Sequence, residues 1–217
     1  PFVGFVPFCS VPVFACVVVP PSMVWVESVG GGGGSIARQT DHGFTVGPDS
    51  VGASPGPACY GLGGTYATAT DAEVVLGHID PKWFLGGRRN LDAARARAAI
   101  ERVSTDDDAE VVAWNVRRAL VQVAADKVAA MIASSGTPAS EFALFAFGGG
   151  GGLYGAEVAQ ACGVPRVFTF VQSSVFSAFG ISGMNVSHVY ELPPGAGLGD
   201  RLETQRKRAE IDAVGEG

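Results

Sequence analysis

Ala143-Leu-Phe-Ala-Phe147, five glycines from Gly148 to Gly152, then Leu153-Tyr-Gly-Ala-Glu-Val-Ala-Gln-Ala-Cys162 and Gly163: the reading of this stretch decides the fold. Five consecutive apolar residues predict a strand covered on both faces. The glycines predict a turn, since a backbone without Cβ atoms takes unusual angles and lets a ligand come close. The residues after them predict a helix closed by Gly163. A helix start offers unpaired N–H groups and the positive end of the helix dipole, so a strand, glycine turn and helix in this order suit a phosphate or a ribose-phosphate. The competing reading is a tight turn that only packs helix against sheet.

Working outward, Val167-Phe-Thr-Phe-Val171 predicts a second strand, and Ser173-Ser174 a cap for a short helix over Val175 to Gly180. Asn185 to Tyr190 is a further strand candidate, and Arg201 to Ile211 a surface helix in a charged tail. Upstream, Asp106-Asp-Asp108 opens the longest helix, which runs to about Ser134 and stops at Gly136 and Pro138. Its apolar residues recur at Ala109, Val112, Ala113, Val116, Ala119, Leu120, Val123, Ala124 and Val128, the spacing of one buried face. That helix reads as scaffold with no chemistry. A shorter helix lies between Leu91 and Val103 with Asp92 as its cap, and another over Ala72 to Leu76 capped by Thr70 or Asp71 and ended by Gly77. Arg88, Arg89, Arg95, Arg97 and Arg102 read as a solvated face, because acidic residues are interspersed.

A second glycine run, Gly30 to Gly34, follows the strand-like Met23-Val-Trp-Val26 and precedes Ser35-Ile-Ala-Arg38. Its apolar flanks argue for a close-approach backbone rather than a flexible linker. Asp41-His-Gly43 reads as a turn and Phe44-Thr-Val46 as a short strand. Gly47 to Gly64 is dense in Gly and Pro, a loop of a length usually kept for function. Strands alternate with helices from residue 141 onward, which predicts an α/β chain with a mixed or mainly parallel sheet and helices on its faces.

Composition sets outer limits. The 217 residues carry a formal charge of −6 and no basic block, which argues against nucleic acid as a partner. Cys9, Cys16, Cys59 and Cys162 show no metal-ligand spacing and read as reduced thiols of a cytoplasmic protein, with no metal site. The opening 1–20 is very apolar, but its prolines break any membrane helix, and it reads as short β segments. The division expected is an N-terminal segment 1–20, a main region 21–192 and a tail 193–217. His42 and His78 sit in turn-like contexts and receive no role; His188 reads as structural, and Cys59 as small apolar packing.

These segments together resemble the ATP-dependent hydantoinase/5-oxoprolinase family, which also contains the nucleotide-binding subunits of acetone and acetophenone carboxylases. The resemblance rests on Ser28-Val29 with the first glycine run and Ser35-Ile-Ala37, and on Val46-Gly-Pro-Asp-Ser50. It continues through Pro55-Gly-Pro-Ala-Cys-Tyr-Gly61, Thr70-Asp-Ala72, Phe84-Leu-Gly-Gly87, Ala146-Phe-Gly-Gly149, Phe176-Ser-Ala-Phe-Gly180 and His188-Val-Tyr-Glu191. It implies part of an actin-like, sugar-kinase-like (RNase H-like, ASKHA) ATPase fold. It further implies ATP and Mg2+ as cofactors, a multi-subunit complex with a hydantoinase B-like subunit or domain, and a hydrolase that acts on cyclic amides.

In such relatives ATP phosphorylates a carbonyl oxygen, and the partner hydrolyses or carboxylates the activated species. By resemblance, Gly148, Gly149 and Gly150 form the adenosine loop, with Gly32, Gly33, Gly34 and Ser35 as a second cofactor-binding backbone and Asp71 as a magnesium-side residue. No catalytic residue is nominated. The Asp-x-Gly-Gly-Thr phosphate loops of the family are missing from the sequence, so this chain is expected to be the later part of one subunit. A non-catalytic remnant or interaction domain is the alternative.

Overall fold

The computed structural model describes residues 28–183 and 197–214. The apolar opening, the expected strand at Met23–Val26, Cys9, Cys16, the strand candidate Asn185–Tyr190 and His188 lie outside the described residues. The described chain is a mixed α/β assembly with two small sheets.

The first sheet is a hairpin. β1 (Ser35–Thr40) pairs antiparallel with β2 (Gly43–Ser50), Ala37 opposite Val46, with the register shifting between Ser35 and Ala37. Asp41 and His42 make the turn, where Thr40 Oγ1 donates to the Gly43 carbonyl at 2.9 Å. Ser35, Ile36 and Ala37 are buried in succession at the start of β1, and Ala37 and Val46 join the core under the helices.

Three helices cover that face. α1 spans Ala69–Val75, α2 Ala93–Glu101 and α3 Ala109–Ser135. α2 begins as its sequence requires, with the Asp92 carboxylate accepting the Arg95 amide at 3.0 Å. α3 runs from Asp108 to Gly136, which closes it at φ +70°. α1 starts earlier than expected. Its cap is Thr68, in extended backbone, and Asp71 stands at the third helical position and reaches back to the Thr68 amide. The pair is a capping box, which neither Thr70 nor Asp71 alone provides.

Ile100, Val112, Ala113, Val116 and Leu120 pack with Ala37, Val46 and Ala72 into the main core. Each large aliphatic side chain buried there contributes about 1.5–3 kcal/mol. The apolar stripe of α3 is covered only over its first half, where Val112 and Val116 are fully buried; Val123 is exposed and Val128 half-buried.

The second sheet is smaller than its sequence suggests. β3 (Leu144–Phe145) and β4 (Val167–Phe168) pair in parallel, with α4 (Gly148–Ala161) between them. This is a strand–helix–strand unit, as the alternation predicts. The strand expected over 143–147 is not buried on both faces: Phe145 and Phe147 are about half exposed. Its run is short because β4 is its one described neighbour. Phe145 stacks on Phe168 and Phe170, and Phe170 on Phe176, so aromatic contacts take the place of further strands.

α5 (Phe176–Ser182) begins without a side-chain cap, so neither Ser173 nor Ser174 caps it. α6 (Leu198–Val214) is a charged helix with Arg206 between Glu203 and Glu210. No helix among the described residues is long and apolar enough to cross a membrane.

Candidate functional site

The run Gly148 to Gly152 is not a loop. It forms the opening turns of α4, and within it only Gly148 is left-handed, at φ +78°. Phe147 precedes it as the N-cap and supplies no side-chain hydrogen bond to the helix. Among the described residues the first N–H groups of α4 therefore have neither an intrahelical nor a side-chain acceptor. Gly149, Gly150 and Gly152 are exposed, and Gly148 and Gly151 are half-buried. A Cβ placed on Gly148, Gly149 or Gly152 would meet no atom within 4 Å. The inner side is close, where a Cβ on Gly151 would lie 2.9 Å from the Ala146 carbonyl carbon. The result is a bare amide surface with a positive dipole end, open on one side.

Four glycines in helical geometry, 149 to 152, give up roughly 4 kcal/mol of helix propensity relative to alanine. Something else must hold this helix start, and a buried ionic cluster does. Arg117 of α3 and Glu73 of α1 are almost wholly buried, and Arg117 Nη1 donates to both Glu73 oxygens at 2.7 and 2.8 Å. Arg117 Nη2 donates to the Leu153 carbonyl of α4 at 2.6 Å and lies 3.0 Å from Glu157 Oε2. The guanidinium also sits 5.1 Å from the Tyr154 ring centre. His78 Nδ1 lies 2.7 Å from Glu73 Oε2.

Burial opposes the Arg117 charge, but Glu73 and then Glu157 outweigh it and hold its pKa above the ordinary value. Burial, and then the charge and hydrogen bond of Glu73, push the Tyr154 hydroxyl up as well. The sequence reading gave these residues no role, although the signal was present. Arg117 falls on the buried stripe of Ala113, Val116 and Leu120, and a charge there calls for a partner.

Asp71 serves a different structure. Its side chain is fully buried and accepts from the Ala58 amide at 3.2 Å, the Cys59 amide at 2.8 Å, the Thr68 amide at 3.0 Å and the Thr68 hydroxyl at 2.8 Å. Both oxygens are committed to the chain, which fixes the Pro55 to Gly61 loop over α1. Cys59, 0 % exposed, has its thiol pushed well up, by burial first and the Asp71 charge second. It is a packed group rather than a nucleophile. Arg89 crosses the Tyr60 ring at 4.3 Å and donates to the Tyr60 carbonyl, and Arg102 holds the Thr65 carbonyl at 2.8 Å. Those two arginines are thus part of the loop and not only a solvated face.

The first run, Gly30 to Gly34, packs inward. The Gly33 carbonyl accepts from both the Thr70 amide and the Thr70 hydroxyl at 2.9 Å. Ser35 Oγ accepts the Gly32 amide at 2.9 Å. Gly32, Gly33, Gly34 and Ser35 are therefore brought beside the start of α1, next to Asp71. Gly148, Gly149 and Gly150 stand on α4; the first run lies against Leu120 of α3 at Gly31, and Leu153, just after the second run, is bound by Arg117 of α3. A cavity of about 440 Å³ lies by the first run, lined by Gly30, Phe44, Val46, Pro48, Val123 and Asp126 among others. Among the described residues no group of three His, Cys, Asp or Glu could hold a metal ion.

Comparison with known proteins gives this geometry a context. The model of the hydantoinase/oxoprolinase family matches residues 12–189. The acetophenone carboxylase gamma subunit of Aromatoleum aromaticum is 39% identical over 80% of this chain and 24% of its own length. The nucleotide-free structure of acetone carboxylase superposes with a TM-score of 0.65 at 31% identity, over 71% of this chain and 22% of that one. The ATP-dependent caprolactamase of Pseudomonas jessenii gives a TM-score of 0.67 at 29% identity, over 87% of this chain and 29% of that one. The chain thus spans about a quarter of the length of these relatives.

Proposed function

Since this chain belongs to the hydantoinase/oxoprolinase family, we propose that it is part of the ATP-binding subunit of an ATP-dependent cyclic amide hydrolase and supplies one wall of the nucleotide site. The observation that carries this reading is the opening of α4: an uncapped helix start of bare amides, open to solvent on one side. Those amides suit the ribose and phosphate oxygens of a nucleotide, which accept hydrogen bonds and carry negative charge. In this reading the described chain is a portion of an actin-like, sugar-kinase-like ATPase fold, and its strand–helix–strand unit belongs to the lobe that holds adenosine.

ATP brings the phosphoryl group that activates the carbonyl oxygen, and a hydantoinase B-like partner hydrolyses the activated species. The chain's own residues do narrower work. Gly148, Gly149 and Gly150 receive the nucleotide, and Gly151 and Gly155 keep the helix close to β3. Magnesium does not fit here. The described residues offer no ligand set, and both Asp71 oxygens are occupied by the chain. No step is assigned to the ion on these residues.

A second reading is favoured by the 39% identity to a ketone carboxylase subunit. There the same nucleotide wall serves carboxylation of an activated ketone. Calorimetric titration of the chain with ATP and ADP tests the shared part. Binding that is lost in Gly149→Val supports it, and heat-silent titrations with both nucleotides refute it. Supplying the remaining subunit portion and comparing turnover of a lactam with that of a ketone and bicarbonate separates the two chemistries.

A further inference from the structure

We infer that Arg117 is the positioning residue of the glycine helix: it fixes where the bare amides of residues 148–152 point, and it couples that position to α1 through Glu73. The functional half of this inference rests on the nucleotide reading above; the mechanical half does not.

The first turn of α4 rests on the backbone of Ala146 at Gly151 and gains no side-chain hydrogen bond of its own. A Cβ on Gly149 or Gly152 would meet no atom within 4 Å, and Phe147 caps no amide. Fixation begins at Leu153, whose carbonyl accepts Arg117 Nη2 at 2.6 Å. In a helix that carbonyl already accepts the amide four residues on, so the guanidinium uses its second lone pair. Arg117 is itself immobilised: Nη1 is held by both Glu73 oxygens, the Glu157 side is closed at 3.0 Å, and Tyr154 and Trp114 lie 5.1 and 6.0 Å away as ring faces. A planar fork with donors in two directions is needed to hold a carboxylate and a carbonyl together, and lysine has no such fork.

The coupling follows from α1. Asp71 and Glu73 are its two buried carboxylates. The first binds the Ala58 and Cys59 amides, and the second binds Arg117. The loop over Pro55 to Gly61 and the glycine helix are thus anchored to one short helix, and a displacement of either reaches the other through seven residues of α1.

Hydrogen exchange on the full 217-residue chain tests this, with Arg117→Lys and Glu157→Gln beside the parent sequence. In Arg117→Lys the amides of 152–158 exchange about tenfold faster or more, while those of 112–120 in α3 keep their rates. Glu157→Gln gives a smaller acceleration in the same segment. Acceleration spread evenly over α1, α3 and α4, or none at 152–158, overturns the inference. If Arg117→Lys does not fold, Glu157→Gln decides by the same criterion, since it keeps the buried Glu73 pair. In ATP titrations Arg117→Lys binds about tenfold more weakly than the parent, because the site is no longer preorganised. Unchanged affinity overturns the functional half. A parent chain that binds no nucleotide overturns the proposed function instead, and the exchange rates then decide the positioning role.

Discussion

The two runs of five glycines are identical in sequence and differ in structure: the first is a turn leading into β1, the second the start of α4. In Gly30 to Gly34 the missing side chains make room for the protein. A Cβ on Gly31 would lie 2.7 Å from Leu120 Cδ1, one on Gly33 2.7 Å from Thr70 Oγ1, and one on Gly34 2.9 Å from Ser50 Oγ. In Gly148 to Gly152 the space left by three of the five is open. At Gly31, Gly33 and Gly34 the first run is glycine because its own fold approaches it, whereas Gly32 is open. In the second the fold itself asks for glycine at Gly148, which is left-handed at φ +78°, and at Gly151, which lies against Ala146; a ligand on the outer side is what we propose for the other three. Composition cannot separate these cases; the neighbours of each Cβ can.

The sharpest way to break the contrast is to remove what holds the second run from a distance. Glu73→Ala leaves the buried Arg117 guanidinium with only Glu157 and the Leu153 carbonyl of the partners described and is expected to cost about 3 kcal/mol, read from urea unfolding. A loss below about 1 kcal/mol would mean that the cluster is not what fixes α4. Next come paired substitutions in the runs. Gly33→Ala must displace Thr70, which is hydrogen-bonded to the same residue, and is expected to destabilise by about 1–3 kcal/mol. Gly149→Ala enters open space in helical backbone and is expected to stabilise by about 0.5–1 kcal/mol while weakening ATP binding. Equal effects at the two positions would erase the distinction.

The smallest effect concerns titration. The Cys59 and Tyr154 pKa values are both raised in the fold, so the folded state keeps protons that the unfolded chain releases. Their contribution is complete at neutral pH and declines as pH climbs past about 8.5 for the thiol and 10 for the phenol. Alkaline unfolding should therefore soften in Cys59→Ala. A thiol reagent at pH 8 should label Cys162, which is half-buried, well before Cys59. Labelling in the reverse order would contradict the packing described for the loop.

Much of the fold was legible in the sequence, and the parts that were not share a cause. Asp92 and Gly136 act within one turn of themselves, so this cap and this stop could be read locally; Asp108 stands at the N-cap of α3 without a side-chain cap bond. Thr68 was missed because a capping box is a reciprocal pair, and the reading stopped at the more acidic half. The strand over 143–147 was overestimated because five apolar residues state a wish for burial without saying how many strands will supply it. Arg117 and Glu73 were missed because they lie 44 residues apart, and only the packing of α1 on α3 brings them to 2.7 Å. Asp71 drew attention for its charge, whereas its position beside Thr68 determined its role. The family resemblance, by contrast, rested on runs of adjacent residues and reached the family and its ATP-dependent relatives directly.

The most direct test of the account is an amide-resolved NMR titration of the chain with ATP, followed at both glycine runs. The prediction is saturable shifts at Gly148 to Leu153 with Gly30 to Gly34 unmoved. Shifts confined to the first run and the cavity beside Gly30, or no saturable shift at either, would contradict it.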